Sequence, residues 1–145
     1  MSDPLYRKEL LRLAADATGA GRLEHPHGSA TAYNPACGDR VTVGIQLEDG
    51  RITALAHHTQ ACVLAQASAA ILGGQAKGLD RAGLQALAAD VAAMLNGGAV
   101  PSPPFQAYGA FDGVAGHKGR HTCVLLPLQA ALEALEILQP AKPGA

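Results

Sequence analysis

The chain has 145 residues, a net charge of −1 at pH 7 and 48% apolar residues, with three tyrosines and two phenylalanines as its only aromatics. That length suits one domain with a real core, kept lean by the abundance of alanine. The charge balance argues against nucleic-acid binding, which needs clustered cations and stacking rings, and the longest apolar-rich stretch, 61–72, falls well short of the ~20 residues that span a membrane.

The opening MSDPLYRKELLRLAADA predicts an amphipathic helix from about Asp3, an N-cap followed by Pro4, to about Ala17. Tyr6, Leu10, Leu13, Ala14 and Ala17 form its apolar stripe, and Gly19 and Gly21 end it. It carries acid as well as base and no apolar signal core, so a cytoplasmic protein is expected. The stretch 22–39 reads mostly as loop, with room for a short strand near Ala30–Tyr33, and ends in a tight turn marked by Asn34-Pro35 and Cys37-Gly38-Asp39.

A strand follows, because Val41, Val43, Ile45 and Leu47 alternate with Thr42, Gly44, Gln46 and Glu48. Asp49-Gly50 suits a type I′ hairpin turn, and the return strand runs from Arg51 to about His58 with Ile52, Ala54 and Ala56 on one face. Cys62–Leu72 turns helical and is closed by Gly73-Gly74. A further helix starts at about Asp80, buries Leu84, Leu87, Val91 and Leu95, and stops at Gly97-Gly98. Residues 100–119 form a Pro/Gly-rich excursion. The last helix begins near Cys123 and packs through Val124, Leu128, Ala131, Leu135 and Leu138 until Pro140. Pro127 is tolerated there as a first-turn residue. The expected fold is α+β: a small antiparallel sheet, with its hairpin at about 41–58, and helices on one face, in a single compact domain spanning 1–145.

Three widely spaced cysteines in a reducing compartment make disulfides unexpected. Cys37 sits in the turn, while Cys62 and Cys123 each sit at a helix start, where unpaired N–H groups and the helix dipole favour thiolate. Arg120, three residues before Cys123, adds to that. Asp39 lies two residues after Cys37, within reach of the same point. Three sulfurs and one oxygen suit a tetrahedral Zn²⁺ or Fe site. Spacings of 25 and 61 residues are no Cys-x-x-Cys signature, so inert buried thiols remain the alternative. If Arg120–Cys123 is extended, His121 and Cys123 share a face and His121 is a substitute ligand or proton acceptor; otherwise it is solvated. His25 and His27 flank Pro26 in a loop and read as solvated. His57 and His58 point opposite ways from a strand. A zinc hydrolase or deaminase lacks its His-x-Glu and Pro-Cys-x-x-Cys signature here.

The segment NPACGDRVTVGIQLEDGRITALAHHTQACVLAQASAAILGG resembles the core of the U-type iron–sulfur cluster assembly scaffolds, the IscU, SufU and NifU N-terminal group. The matching features are Pro35-x-Cys37-Gly38-Asp39 opening a hairpin, Cys62 before a helix with Ala67, Ser68 and Ala69, and Arg120 three residues before Cys123. The leading helix and Gly21-Arg22-Leu23 also fit, so the likeness covers most of the chain. The long interval between Cys62 and Cys123 resembles the SufU branch. Gly116-His117-Lys118-Gly119-Arg120 stands where the IscU branch has its Leu-Pro-Pro-Val-Lys chaperone-recognition segment. Ala61 replaces a usual glycine, and Thr122 a usual histidine or lysine.

The resemblance implies a scaffold more than an enzyme. It would hold a transient [2Fe–2S] cluster on Cys37, Cys62 and Cys123 with Asp39 as labile fourth ligand, built with a cysteine desulfurase and passed to recipient apo-proteins. The SufU likeness implies an alternative: a zinc-dependent sulfurtransferase with the same four ligands, in which Cys37 is the sulfur acceptor.

Overall fold

The computed structural model describes residues 8–35 and 38–138. Helix α1 (Lys8–Asp16) leads into a three-stranded antiparallel sheet of β1 (Gly28–Asn34), β2 (Asp39–Glu48) and β3 (Arg51–Gln60), with β2 in the middle. Helices α2 (Val63–Gln75), α3 (Arg81–Leu95) and α4 (His121–Leu138) follow, with two 3₁₀ segments, Gln106–Val114 and Lys118–Arg120, between the last two. The expected start of α1 at Asp3 and Pro4, with Tyr6, lies outside the described residues, as do the Leu138 side chain and Pro140.

The alternation along β2 does what its spacing predicts: Val41, Val43 and Ile45 are fully buried under the helices. Asp49 and Gly50 have φ of 55° and 77°, so the hairpin turn has the two positive φ values a type I′ turn needs. Helix α4 lies across β1 and β2, α2 packs on β3, α1 on α2, and α3 on α4. This is an α+β domain with its helices on one face of a small antiparallel sheet. Among the described residues no helix is long and apolar enough to cross a membrane.

Several expectations need correction. The loop before Cys37 contains a full strand, β1, whose Ala32 packs into the core. A register shift between Gln46 and Leu47 changes the phase of β3. Ile52 faces the helices, but beyond the bulge Leu55 and His57 do so, opposite Ile45 and Val43, while Ala54 and Ala56 turn away. His57 is therefore a core residue, 3% exposed. Its Nδ1 lies 3.0 Å from Thr59 Oγ1 and its Nε2 2.9 Å from the Thr18 carbonyl. Burial holds its pKa below the ordinary value, against the opposing pull of that carbonyl. His58 is exposed, on the opposite face as expected. His27 is not idle in its loop: its Nδ1 accepts the Leu47 N–H, 2.9 Å away, at the bulge.

Gly73 and Gly74 do not end α2, which runs on to Gln75. Glycine is needed at 73 because a Cβ there would overlap the Thr18 carbonyl oxygen and stand 3.1 Å from the Gly19 Cα. The contact is reciprocal: a Cβ at Gly19, whose φ is +85°, would stand 2.9 Å from the Gly73 Cα. Gly73→Ala is expected to destabilise the fold by about 3 kcal/mol and to lower the melting temperature by about 10 °C. A thermal scan showing a wild-type midpoint would refute that close approach.

The Pro/Gly-rich excursion is also structured. Its 3₁₀ segment buries Tyr108, Phe111 and Val114 completely, with the two rings 5.7 Å apart. Helix α4 starts two residues earlier than expected, which puts Pro127 seventh in the helix rather than in its first turn. Pro127 has no N–H to give the Cys123 carbonyl, its partner four residues back.

Candidate metal centre

Three element ends meet at one end of the sheet. Asp39 opens β2, opposite Asn34 at the end of β1. The connection between them tightens through Gly38, whose φ of +77° favours glycine and whose N–H reaches the Asn34 carbonyl at 2.8 Å. Strand β3 ends at Gln60, and two residues on Cys62 serves as the N-cap of α2, with extended backbone angles (φ −67°, ψ 170°). Cys123 is the third residue of α4.

These placements bring an Asp39 carboxylate oxygen, Cys62 Sγ and Cys123 Sγ within 4.8 Å of one another. Asp39 and Cys123 are buried, at 8% and 1% exposure, whereas Cys62 is half-buried, so the group opens to solvent on the Cys62 side. The Cys62 N–H points to Asp39 Oδ2 at 3.4 Å, and Asn34 Nδ2 lies 4.0 Å from Cys123 Sγ. The Cys62 thiol is lowered from 9.0 to about 7 by its hydrogen bond with the Cys123 side chain, against the opposing effects of burial and of the Asp39 charge. A thiol of that kind is about half thiolate near neutral pH, the form that binds metal and attacks sulfur.

The donor set fits a soft cation. Two sulfurs at ~2.3 Å from one tetrahedral ion stand ~3.8 Å apart, so small adjustments bring all three donors onto a common ion.

Of the sequence-predicted site residues, Asp39, Cys62 and Cys123 are brought together, and Cys37 lies outside the described residues. Arg120 is half-buried at the end of the 3₁₀ turn leading into α4, its N–H bonded to the His117 carbonyl. His121 departs from the extended arrangement. It begins α4, and residues two apart on a helix point ~200° apart, so it does not share a face with Cys123. Its Nε2 lies instead 3.1 Å from the Ala115 carbonyl. Asn34 was missed as a neighbour of the sulfurs, because Asn-Pro reads as a turn marker. Its signal is positional: it shares the inward face of β1 with Ala32.

The sequence profile described as "NifU-like N terminal domain" matches residues 5–112, taking in Cys37, Asp39 and Cys62 and stopping short of Cys123. Two curated relatives, iron–sulfur cluster assembly scaffold proteins IscU 1 and IscU 2 of Archaeoglobus fulgidus, are each 32% identical over 74 residues, or 51% of this chain. The match spans about half (48%) of the length of those relatives. The crystal structure of a NifU-like protein (N-terminal) from Brucella abortus superposes with a TM-score of 0.90 at 30% identity, covering 95% of this chain and 96% of that one. A putative iron–sulfur cluster assembly scaffold protein for the SUF system from Fervidobacterium islandicum shares the fold, with a TM-score of 0.84 at 21% identity over 93% of this chain and 99% of that one. The chain therefore belongs to the NifU-like N-terminal domain family.

Proposed function

We propose that this protein is a scaffold for iron–sulfur cluster assembly. Cys37, Asp39, Cys62 and Cys123 hold a transient [2Fe–2S] cluster, its cargo, built with sulfur from a cysteine desulfurase and passed to recipient apo-proteins. The observation that carries the reading is the convergence of Asp39, Cys62 and Cys123 donors within 4.8 Å from three distant points of the chain. Family membership and the two Archaeoglobus relatives, which are iron–sulfur cluster assembly scaffold proteins, support it. A carboxylate is a harder, weaker partner for an iron–sulfide unit than a fourth thiolate, so Asp39 suits a cluster that must leave. Working thiols call for a reducing compartment, which supports a cytoplasmic location.

A second reading is favoured by the compactness of the same trio, which suits a single ion as well as a cluster. In it the resident ion is Zn²⁺ and the protein is a sulfurtransferase of the SufU type. Cys37, once freed, attacks the outer sulfur of a desulfurase persulfide as thiolate; one S–S bond forms, one breaks, and the desulfurase leaves as thiolate.

Anaerobic purification with measurement of metal and acid-labile sulfide, in wild type and in each cysteine variant, separates the readings. A cluster that passes to an apo-ferredoxin supports the scaffold, and tight stoichiometric zinc without a reconstitutable cluster supports the transferase. Metal and sulfide contents indifferent to Cys62→Ala would leave only an interaction domain with inert thiols.

A further inference from the structure

Helices α2 and α4, which carry Cys62 and Cys123 at or near their starts, are joined by a buried polar bridge. Ser68 is 0% exposed. Its Oγ donates to the Val124 carbonyl at 2.6 Å, one residue beyond Cys123. A serine hydroxyl has one proton. Since it goes to Val124, Tyr108 is the donor in the second contact. Its hydroxyl, 3.1 Å from Ser68 Oγ and 3.2 Å from the Ser68 carbonyl, directs its own proton to Ser68. Tyr108 is also fully buried, and burial raises its pKa, which keeps the phenol protonated as this chain of donors requires.

The place of the bridge gives it a consequence for the sulfurs. Ser68 stands six residues beyond Cys62, about 9 Å along the axis of α2. A short, directional bond at that point fixes how far α2 can slide along α4. On the other side, Pro127 lies one turn beyond Cys123 and has no N–H of its own to add to the helical ladder there. The bond from Ser68 to the next carbonyl braces that turn from outside. Apolar side chains alone tolerate sliding; a 2.6 Å hydrogen bond does not.

We propose that Tyr108 and Ser68 are positioning residues of the metal centre, their hydrogen-bonded bridge setting the register of α2 against α4 and hence the spacing of Cys62 and Cys123. The inference rests on the reading of that centre as a metal site. It gives the aromatic 3₁₀ segment between α3 and α4 a role in the site, although none of its residues contributes a donor there.

The test uses Co²⁺ as probe on metal-free protein, with affinity read by chelator competition and geometry by the visible absorption of the bound ion. Tyr108→Phe keeps the ring and removes the proton that orients Ser68. It is expected to weaken Co²⁺ binding about tenfold, the scale of outer-shell changes, and to alter the cobalt spectrum. Ser68→Ala should do the same, more strongly. Leu84→Ala is the control, a core truncation in α3 away from the sulfurs, expected to lower the melting temperature while leaving affinity and spectrum unchanged. Comparing melting with and without Co²⁺ adds a second readout: the increment due to the ion shrinks in Tyr108→Phe and not in Leu84→Ala. Wild-type affinity and spectrum in a folded Tyr108→Phe would overturn the positioning role, as would an equal loss in Leu84→Ala. Failure of the wild type itself to bind Co²⁺ would instead overturn the metal-site reading beneath it.

Discussion

Cys123→Ala is expected to remove tight metal binding and, in the metal-free protein, to raise the Cys62 thiol from about 7 back toward its ordinary 9.0. The sign follows from the groups around Cys62. The Cys123 side chain is the largest influence lowering it, and burial and the Asp39 charge both act the other way. Without Cys123, burial and the Asp39 charge still raise the thiol and are opposed only by the weaker backbone hydrogen bond at Ala65, so the thiol moves up. At pH 7 the thiolate fraction of Cys62 then falls, by about 50-fold if the return to 9.0 is complete, partly offset by the higher nucleophilicity of a more basic thiolate. Net alkylation by iodoacetamide should be slower, by about fivefold at the full shift, with the midpoint of its pH profile moved up. Peptide-level mass spectrometry keeps Cys62 distinct from Cys37. The loss of metal affinity should exceed the ~10–100-fold typical of outer-shell changes, because a ligand itself is gone. An unshifted profile, with metal still bound at wild-type strength, would show that the two sulfurs do not act together.

Asp39→Ala separates cargo from resident ion. As the labile ligand of a cluster, Asp39 is the donor whose departure lets the cluster leave, so its removal is expected to lengthen the lifetime of a reconstituted cluster severalfold. As one of four ligands to a resident zinc, its removal weakens zinc binding. In metal-free protein the same change should lower the Cys62 thiol below about 7, because the Asp39 carboxylate disfavours the neighbouring thiolate. Cluster decay followed by absorbance gives the first outcome, chelator competition the second and alkylation against pH the third. Faster cluster loss in Asp39→Ala would contradict the role given to that carboxylate. A Cys62 pH profile that stays put would contradict its closeness to the thiol.

Much of this is legible in the residues because local rules decide it. The alternation from Val41 to Leu47 is enough to place β2, since a period of two lines one face of a strand. Asp49-Gly50 closes the hairpin because its φ values suit few other pairs. Asp80 caps α3 through the Gly83 N–H, 2.7 Å from Oδ1, as a short acidic side chain before a helix does. The Cys-Gly-Asp motif and the two helix-start cysteines carry the family likeness; the profile match over residues 5–112 bears out the family and takes in the motif and Cys62.

The misread positions are those where a distant segment sets the local outcome. Gly73-Gly74 looks like a stop signal, but the nearby Thr18–Gly19 backbone requires a glycine within the helix. Ile52, Ala54 and Ala56 look like one face until the bulge, braced by His27 on the Leu47 N–H, turns the strand over and buries His57. His121 looks available as a ligand until α4 begins at that residue and turns it away from Cys123.

By itself, then, the sequence determined the elements, the hairpin, the family and the residue types able to hold a soft cation, all properties of neighbours along the chain. Only the tertiary structure decided that Asp39, Cys62 and Cys123 converge and that Tyr108 and Ser68 tie the two sulfur-bearing helices together. The physical reason is that donor separation depends on how helices dock across a core. That docking is set by packing and a few buried hydrogen bonds between residues tens of positions apart, which no local pattern encodes.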